Sequence, residues 1–211
     1  GTGLFYHTDF NGMGSNQVNT MAEDSNGLMW FATTGGVTTF DGAKYHTYTT
    51  EDGLPSNDVW SLFIDSKGTI WAGATNGLSV FLDGRFVAFE LPIPDDIKEP
   101  TYIINSSCVR DIAEDLEGNI WFARDGYGLT KFDGNNFTMY TKKDGLTSNA
   151  VSKVMADQQG NIWVATVETR IAEEGKPFSF VGSEDGGLNL FDGTTFKHFT
   201  ETPGLWKNDV Y

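Results

Sequence analysis

Four times in 211 residues the chain writes a glycine, a variable residue, an aliphatic residue and a tryptophan: Gly27-Leu28-Met29-Trp30, Gly68-Thr69-Ile70-Trp71, Gly118-Asn119-Ile120-Trp121 and Gly160-Asn161-Ile162-Trp163. The tryptophans stand 41, 50 and 42 residues apart, and each follows an aspartate by six positions, at Asp24, Asp65, Asp115 and Asp157. Each is followed by a Gly-hydrophobic pair and an aromatic-then-turn element: Phe40-Asp41-Gly42, Phe81-Leu82-Asp83-Gly84, Phe132-Asp133-Gly134 and Phe191-Asp192-Gly193. Self-similarity at this period means copies of one supersecondary unit, each burying its apolar face against its neighbours.

Within a unit the residues read as four strands, A to D. Strand A is Val151 to Ala156; the turn Asp157-Gln158-Gln159-Gly160-Asn161 then places glycine where φ must be positive, and strand B runs from Ile162 to Ala165. Strand C is clearest at Gly128 to Phe132, closed by the hairpin signal Asp133-Gly134, and strand D at Phe137 to Tyr140. Short strands in units of this length match the four-stranded blade of a propeller. A β-sandwich, the runner-up, gives no reason for one tryptophan per unit, whereas stacked blades need a large residue at each sheet-to-sheet contact.

The expected fold is therefore all-β, with propeller blades of four antiparallel strands in four complete repeats plus partial ends. The divisions are 1–17 (an outer strand of a preceding blade and a linker), 18–58, 59–108 with a D–A insertion at 91–107, 109–150, 151–209 with a B–C insertion at 167–185, and a stub at 210–211. One D strand, four ABCD units and a stub of A do not complement one another. The expectation is an open arc, or a fragment of a larger propeller completed by further blades or by self-association.

Composition narrows the function. Twenty-nine acidic against 14 basic residues give a net charge of −15, which repels phosphate backbones and anionic lipid, so nucleic acid and membrane contact are not expected. The acidic surface serves solubility or the steering of a cationic ligand. A single cysteine, Cys108, excludes an internal disulfide and a multi-cysteine metal site. No apolar stretch approaches the ~18 residues that span a bilayer, and the N-terminus lacks a signal-peptide pattern.

The units resemble the two-component regulator propeller repeat. The matching residues are Asp-x-x-Gly-Asn-Ile-Trp at 115–121 and 157–163, Gly-Leu-x-x-Phe-Asp-Gly at 128–134 and 187–193, and the linker Asp52-Gly53-Leu54-Pro55-Ser56-Asn57-Asp58-Val59. The linker recurs at 144–151 and, degraded, at 204–210. The resemblance implies the sensor region of a bacterial hybrid histidine kinase or related regulator. Such regions lie outside the cytoplasm, in the periplasm, bind ligands that are often saccharides, and pass the signal to a kinase absent from this chain.

Alternating strands put the B–C and D–A loops at one end of a blade and the A–B and C–D turns at the other. Both insertions fall at the first end, and repeat proteins carry variable insertions on the binding face. Residues that differ between matching units are the ligand candidates. After the valine of strand A these are Asn19, Trp60, Arg110, Ser152 and Tyr211. In the B–C loops they are Thr34, Asn76, Arg124 with Asp125 and Tyr127, and Arg170; Tyr102 comes from the D–A insertion. Aromatic faces among Arg, Asn and Asp suit a sugar, with its apolar CH faces and hydroxyls. Trp30, Trp71, Trp121, Trp163 and the four aspartates serve the blade.

Two other chemistries can be weighed. A propeller lyase of the virginiamycin B type needs histidines converging beside a metal, but His7, His46 and His198 all fall on outer strands D. The Asp-x-x-Gly spacing lacks the dense carboxylates of a calcium loop, and an aspartate capping its own turn explains it better. No catalytic residue, cofactor or metal site is expected, and the chain reads as a ligand-sensing module. The alternatives are a protein-interaction scaffold and such a lyase.

Overall fold

The computed structural model describes residues 8–9, 12–98, 100, 102–172, 180–184 and 186–199, with backbone alone at 170–172 and 180–184. The terminal strand expected at residues 5–8, with His7, and the stub at 210–211 with Tyr211, lie outside these except for Thr8.

The chain divides into two compact units, Gly1–Glu90 and Leu91–Tyr211. The first holds two antiparallel four-stranded sheets: β1 (Val18–Glu23), β2 (Met29–Thr33), β3 (Gly36–Phe40), β4 (Tyr45–Tyr48), and β5 (Val59–Ile64), β6 (Ile70–Ala74), β7 (Gly77–Leu82), β8 (Arg85–Phe89). The second holds β9 (Val109–Glu114), β10 (Ile120–Arg124), β11 (Gly128–Phe132), β12 (Phe137–Tyr140), then β13 (Val151–Ala156), β14 (Ile162–Thr166), β17 (Gly187–Phe191), β18 (Phe196–Phe199). Each sheet is a propeller blade with its strands in chain order. The B–C insertion contributes an extra hairpin, β15 (Thr169–Ala172) with β16 (Phe180–Glu184). No described helix is long and apolar enough to cross a membrane.

The repeated motif explains the local structure. Each aspartate after strand A takes backbone N–H groups two and four residues on, as Asp115 does from Glu117 and Asn119 at 3.0 and 2.9 Å. Its second oxygen accepts the indole N–H of the tryptophan six residues on: Trp30 to Asp24 at 3.1 Å, Trp71 to Asp65 at 3.0 Å, Trp121 to Asp115 at 2.8 Å and Trp163 to Asp157 at 3.0 Å. One carboxylate thus closes the A–B turn and fixes the tryptophan ring, which for Trp30 and Trp121 packs between the two blades of their unit. Trp30 and Trp121 are each 2% exposed, stacked on Tyr48 and Tyr140 at 6.0 and 5.7 Å between centroids. Burying a ring of this size contributes on the order of 3 kcal/mol or more.

The linker motif is equally specific. Thr49 caps a 3₁₀ turn at Thr50–Asp52 with reciprocal hydrogen bonds to Asp52, and Gly53 ends it at φ 97°. A Cβ on Gly53 would stand 2.0 Å from the Phe86 carbonyl oxygen, so no other residue fits without backbone movement. Leu54 is buried in the core between blades, and Asn57 accepts the Thr50 N–H at 2.8 Å. Thr141, Leu146 and Asn149 repeat these roles in the second unit, and Gly145 ends its turn at φ 112°.

Candidate functional site

The strand A residues that differ between units share one backbone position. In every blade the pairing of strand A with strand B slips after the first valine: Val18 pairs with Thr33 but Thr20 with Ala32, Val59 with Ala74 but Ser61 with Gly73, Val109 with Arg124 but Asp111 with Ala123, Val151 with Thr166 but Lys153 with Ala165. Asn19, Trp60, Arg110 and Ser152 are therefore the extra residues of four equivalent β-bulges. A bulge re-aims a side chain without disturbing the rest of the ladder, which frees this position from the blade's own packing pattern. Each bulge lies opposite the last residue of strand B, so it shares a blade end with the B–C loop.

The sequence carries a signal of the bulge. Strict alternation would space buried residues by two, yet Val59 and Leu62, Val109 and Ile112, and Val151 and Val154 are buried three apart.

In the first unit this end gathers Trp60, Thr75 and Asp58. The Trp60 indole N–H donates to Thr75 Oγ1 at 3.0 Å, and that hydroxyl donates to Asp58 Oδ2 at 2.9 Å. Asn76 is exposed beside them. Asn19 is spent within the unit, its amide donating to the Val59 carbonyl at 2.7 Å and tying the first blade to the second. Thr34 shares a 2.8 Å hydroxyl contact with Ser15 of the preceding linker.

In the second unit, Arg124 and Asp125 are 4% and 0% exposed. The Asp125 carboxylate takes the backbone N–H groups of Ile103 (3.0 and 3.2 Å), Ile104 (2.6 Å) and Asn105 (3.3 Å). Arg124 donates from Nη1 to the Pro92 carbonyl and lies 4.8 Å from the Tyr127 ring centroid. Asp96 accepts the Thr141 hydroxyl at 2.9 Å. The 91–107 insertion is therefore a strap held down at three points, and two of the expected ligand residues do the holding. Tyr102 stands out from it, 52% exposed. Arg110 is half-buried on its bulge, and Arg170 lies in β15 opposite Ser183.

Burial dominates the electrostatics here. It pulls the Arg124 guanidinium down to about 10, with Tyr127 in partial opposition. It pushes Asp111 up, against Lys153, 3.8 Å away, and the Val154 N–H, which donates to its carboxylate at 3.1 Å.

Two clefts lie at the opposite ends of the blades. One of about 670 Å³ in the first unit runs between the A–B turns at Asp24 and Asp65, past Trp30 and Phe81; its counterpart of about 480 Å³ runs past Asp115, Trp121, Lys131 and Phe191. Both include residues the repeats share, Asp24, Trp30, Asp65 and Gly68 in the first and Asp115, Trp121 and Gly160 in the second. His46 and His198 are exposed on outer strands β4 and β18, and His198 contacts the Gly145 carbonyl oxygen. Among the described residues no group of three or more His, Cys, Asp or Glu could hold a metal.

Comparison with known proteins fits this architecture. A family model described as the two component regulator propeller matches residues 12–35, 53–76 and 145–168. Each match begins in a linker and ends just past strand B; the third blade, preceded by the 91–107 insertion, lies outside the matches. Comparison with curated protein sequences gives no match. Among solved structures, the extracellular domain assigned to a hybrid two-component system of B. thetaiotaomicron aligns with a TM-score of 0.63 and 24% identity, over 86% of this chain and 23% of that one. One assigned to a one-component system of the same organism gives 0.55 and 16%, over 90% and 30%. Virginiamycin B lyase from Staphylococcus aureus gives 0.58 and 14%, over 87% and 55%. This chain spans less than a third of the two extracellular domains, and at these identities the likeness is one of fold. The three matched segments are two-component regulator propeller repeats by sequence as well as by shape.

Proposed function

We propose that this chain is an extracytoplasmic, periplasmic ligand-sensing segment of a two-component-type regulator, non-catalytic, recognising a small molecule or oligosaccharide at the blade ends that carry the bulges. The observation that supports this is the four-fold coincidence of a backbone device that re-aims a side chain with the position at which the repeats differ. Trp60 offers a ring beside the Thr75 hydroxyl and the Asp58 carboxylate, an arrangement suited to a sugar's CH face and hydroxyls. The similar extracellular domains favour the same location.

A panel of neutral and acidic oligosaccharides screened by thermal shift tests the reading. A ligand that raises the melting temperature of the wild type should lose at least about tenfold in affinity with Trp60→Ala or Tyr127→Ala, the scale of one lost stacking contact. A shift unaffected by both substitutions, but lost when the clefts at the A–B turns are altered by Lys131→Ala or Lys67→Ala, would move recognition to the other end. Histidine-dependent turnover of a cyclic peptide or oligosaccharide, abolished in His46→Ala or His198→Ala, would overturn the non-catalytic part.

A further inference from the structure

The 91–107 strap is arranged the opposite way to the linkers. The linkers bury their leucines, Leu54 and Leu146, in the cores of the two units. The strap is held by polar groups instead: the Pro92 carbonyl takes Arg124 Nη1, the Asp96 carboxylate takes the Thr141 hydroxyl, and Asp125 takes the N–H groups of Ile103, Ile104 and Asn105. Three of its large side chains turn outward. Ile93, Tyr102 and Ile103 are 60%, 52% and 51% exposed, so this one segment carries three of the eight exposed large hydrophobic residues among those described.

The anchors also gather these side chains. Arg124 and Asp125 are consecutive, so the bonds to Pro92 and to Ile103 draw both limbs of the strap to one blade end, with Ile93 next to the first anchor and Tyr102 next to the second. None of the hydrogen bonds that hold the strap needs an apolar side chain at these positions. Apolar groups kept in water on a fixed support mark a surface that another molecule covers.

Charge selects that molecule. Residues 91–99 carry Asp95, Asp96 and Glu99 against Lys98, in a chain of net charge −15. This field opposes a second copy of the chain and an anionic lipid surface, and it favours a cationic partner. We propose that the strap is a docking surface for a basic, amphipathic segment of a partner protein, with Ile93, Tyr102 and Ile103 meeting its apolar face. The surface is separate from the bulge residue Trp60, and it stands whether or not a sugar binds there.

Labelled peptides at physiological salt test this by fluorescence anisotropy: an amphipathic leucine–lysine peptide, the same peptide with glutamate for lysine, and oligolysine. The leucine–lysine peptide should bind at least about tenfold more tightly than either of the others. Ile93→Ser with Ile103→Ser, both at exposed positions, should weaken it by about tenfold or more while leaving the melting temperature unchanged, and Trp60→Ala should leave peptide binding unaltered. Amide exchange of the strap should slow on adding the peptide to the wild type. Equal binding of oligolysine, or binding indifferent to the paired substitution, would reduce the contact to surface charge and overturn the proposal. Tighter binding of the glutamate peptide, through Lys142 and Lys143 beside the Asp96 anchor, would overturn the charge assignment. A dimer in sedimentation that dissociates in the paired variant would give the surface to a second copy and overturn the partner.

Discussion

The two ends of each blade obey different rules. At the A–B turns the four units use the same aspartate, glycine and tryptophan, and one carboxylate serves both turn and ring. At the other end a bulge recurs with Asn, Trp, Arg or Ser on it, and these side chains go to different tasks, among them a tie to the next blade, a hydroxyl relay and a bond to the blade's own backbone. Identity at one end and diversity at the other show which constraint acts where. Stacking sheets demands the same large ring each time, whereas a bulge residue sits outside the ladder and answers to its local surroundings.

Substitutions at the shared end should therefore cost stability. Trp121→Ala removes a buried ring and should lower unfolding free energy by about 3–5 kcal/mol in a denaturant titration; a loss under about 1 kcal/mol would break the contrast. Asp115→Ala strands the buried indole N–H and two turn amides, and about 1–3 kcal/mol is expected from the same measurement.

Acid should attack that end first. Hydrogen bonds from Asn161 and Trp163, with turn amides, hold Asp157 at about 2, below the ordinary 3.8. Burial pushes Asp24 and Asp115 up, yet bonds from the tryptophans and turn amides outweigh it and leave both below the ordinary value. A carboxylate depressed on folding stabilises the protein above its unfolded value and loses that contribution as pH falls through the folded one. Melting temperature should thus drop between about pH 4 and 2. Asp157→Asn should flatten that drop. Asp111, raised by burial, acts with the opposite sign, gaining a proton more readily in the folded state as pH falls. A melting temperature independent of pH over this range would remove the electrostatic role given to the turn.

The smallest effect is expected at the diverse end. Asn76→Ala, on an exposed loop, should change stability by no more than about 0.5 kcal/mol. A cost comparable to that of Asp115→Ala would mean the diverse end is also structural.

Much of this was legible in the residues. The period, the four strands, the Asp-Gly hairpins, the capping aspartate and the packing tryptophan follow from local chemistry: a turn needing positive φ selects glycine, and a carboxylate two residues from an N–H closes on it. The bulge was written as a spacing of three between buried residues, easily passed over when alternation by two is expected.

What only the tertiary structure decided concerns residues whose partners are distant in sequence. Arg124 and Asp125 look like loop residues from sequence, and their burial depends on where the 91–107 strap lands, 20 to 32 residues away. Asp111 is pushed up by its burial against the neighbouring blade, whose Lys153 and Val154 N–H, far off in sequence, oppose the shift. A repeat fixes its own blade through short-range hydrogen bonds and periodic burial. An insertion has no such template, so its contacts are settled by the packing of the whole unit.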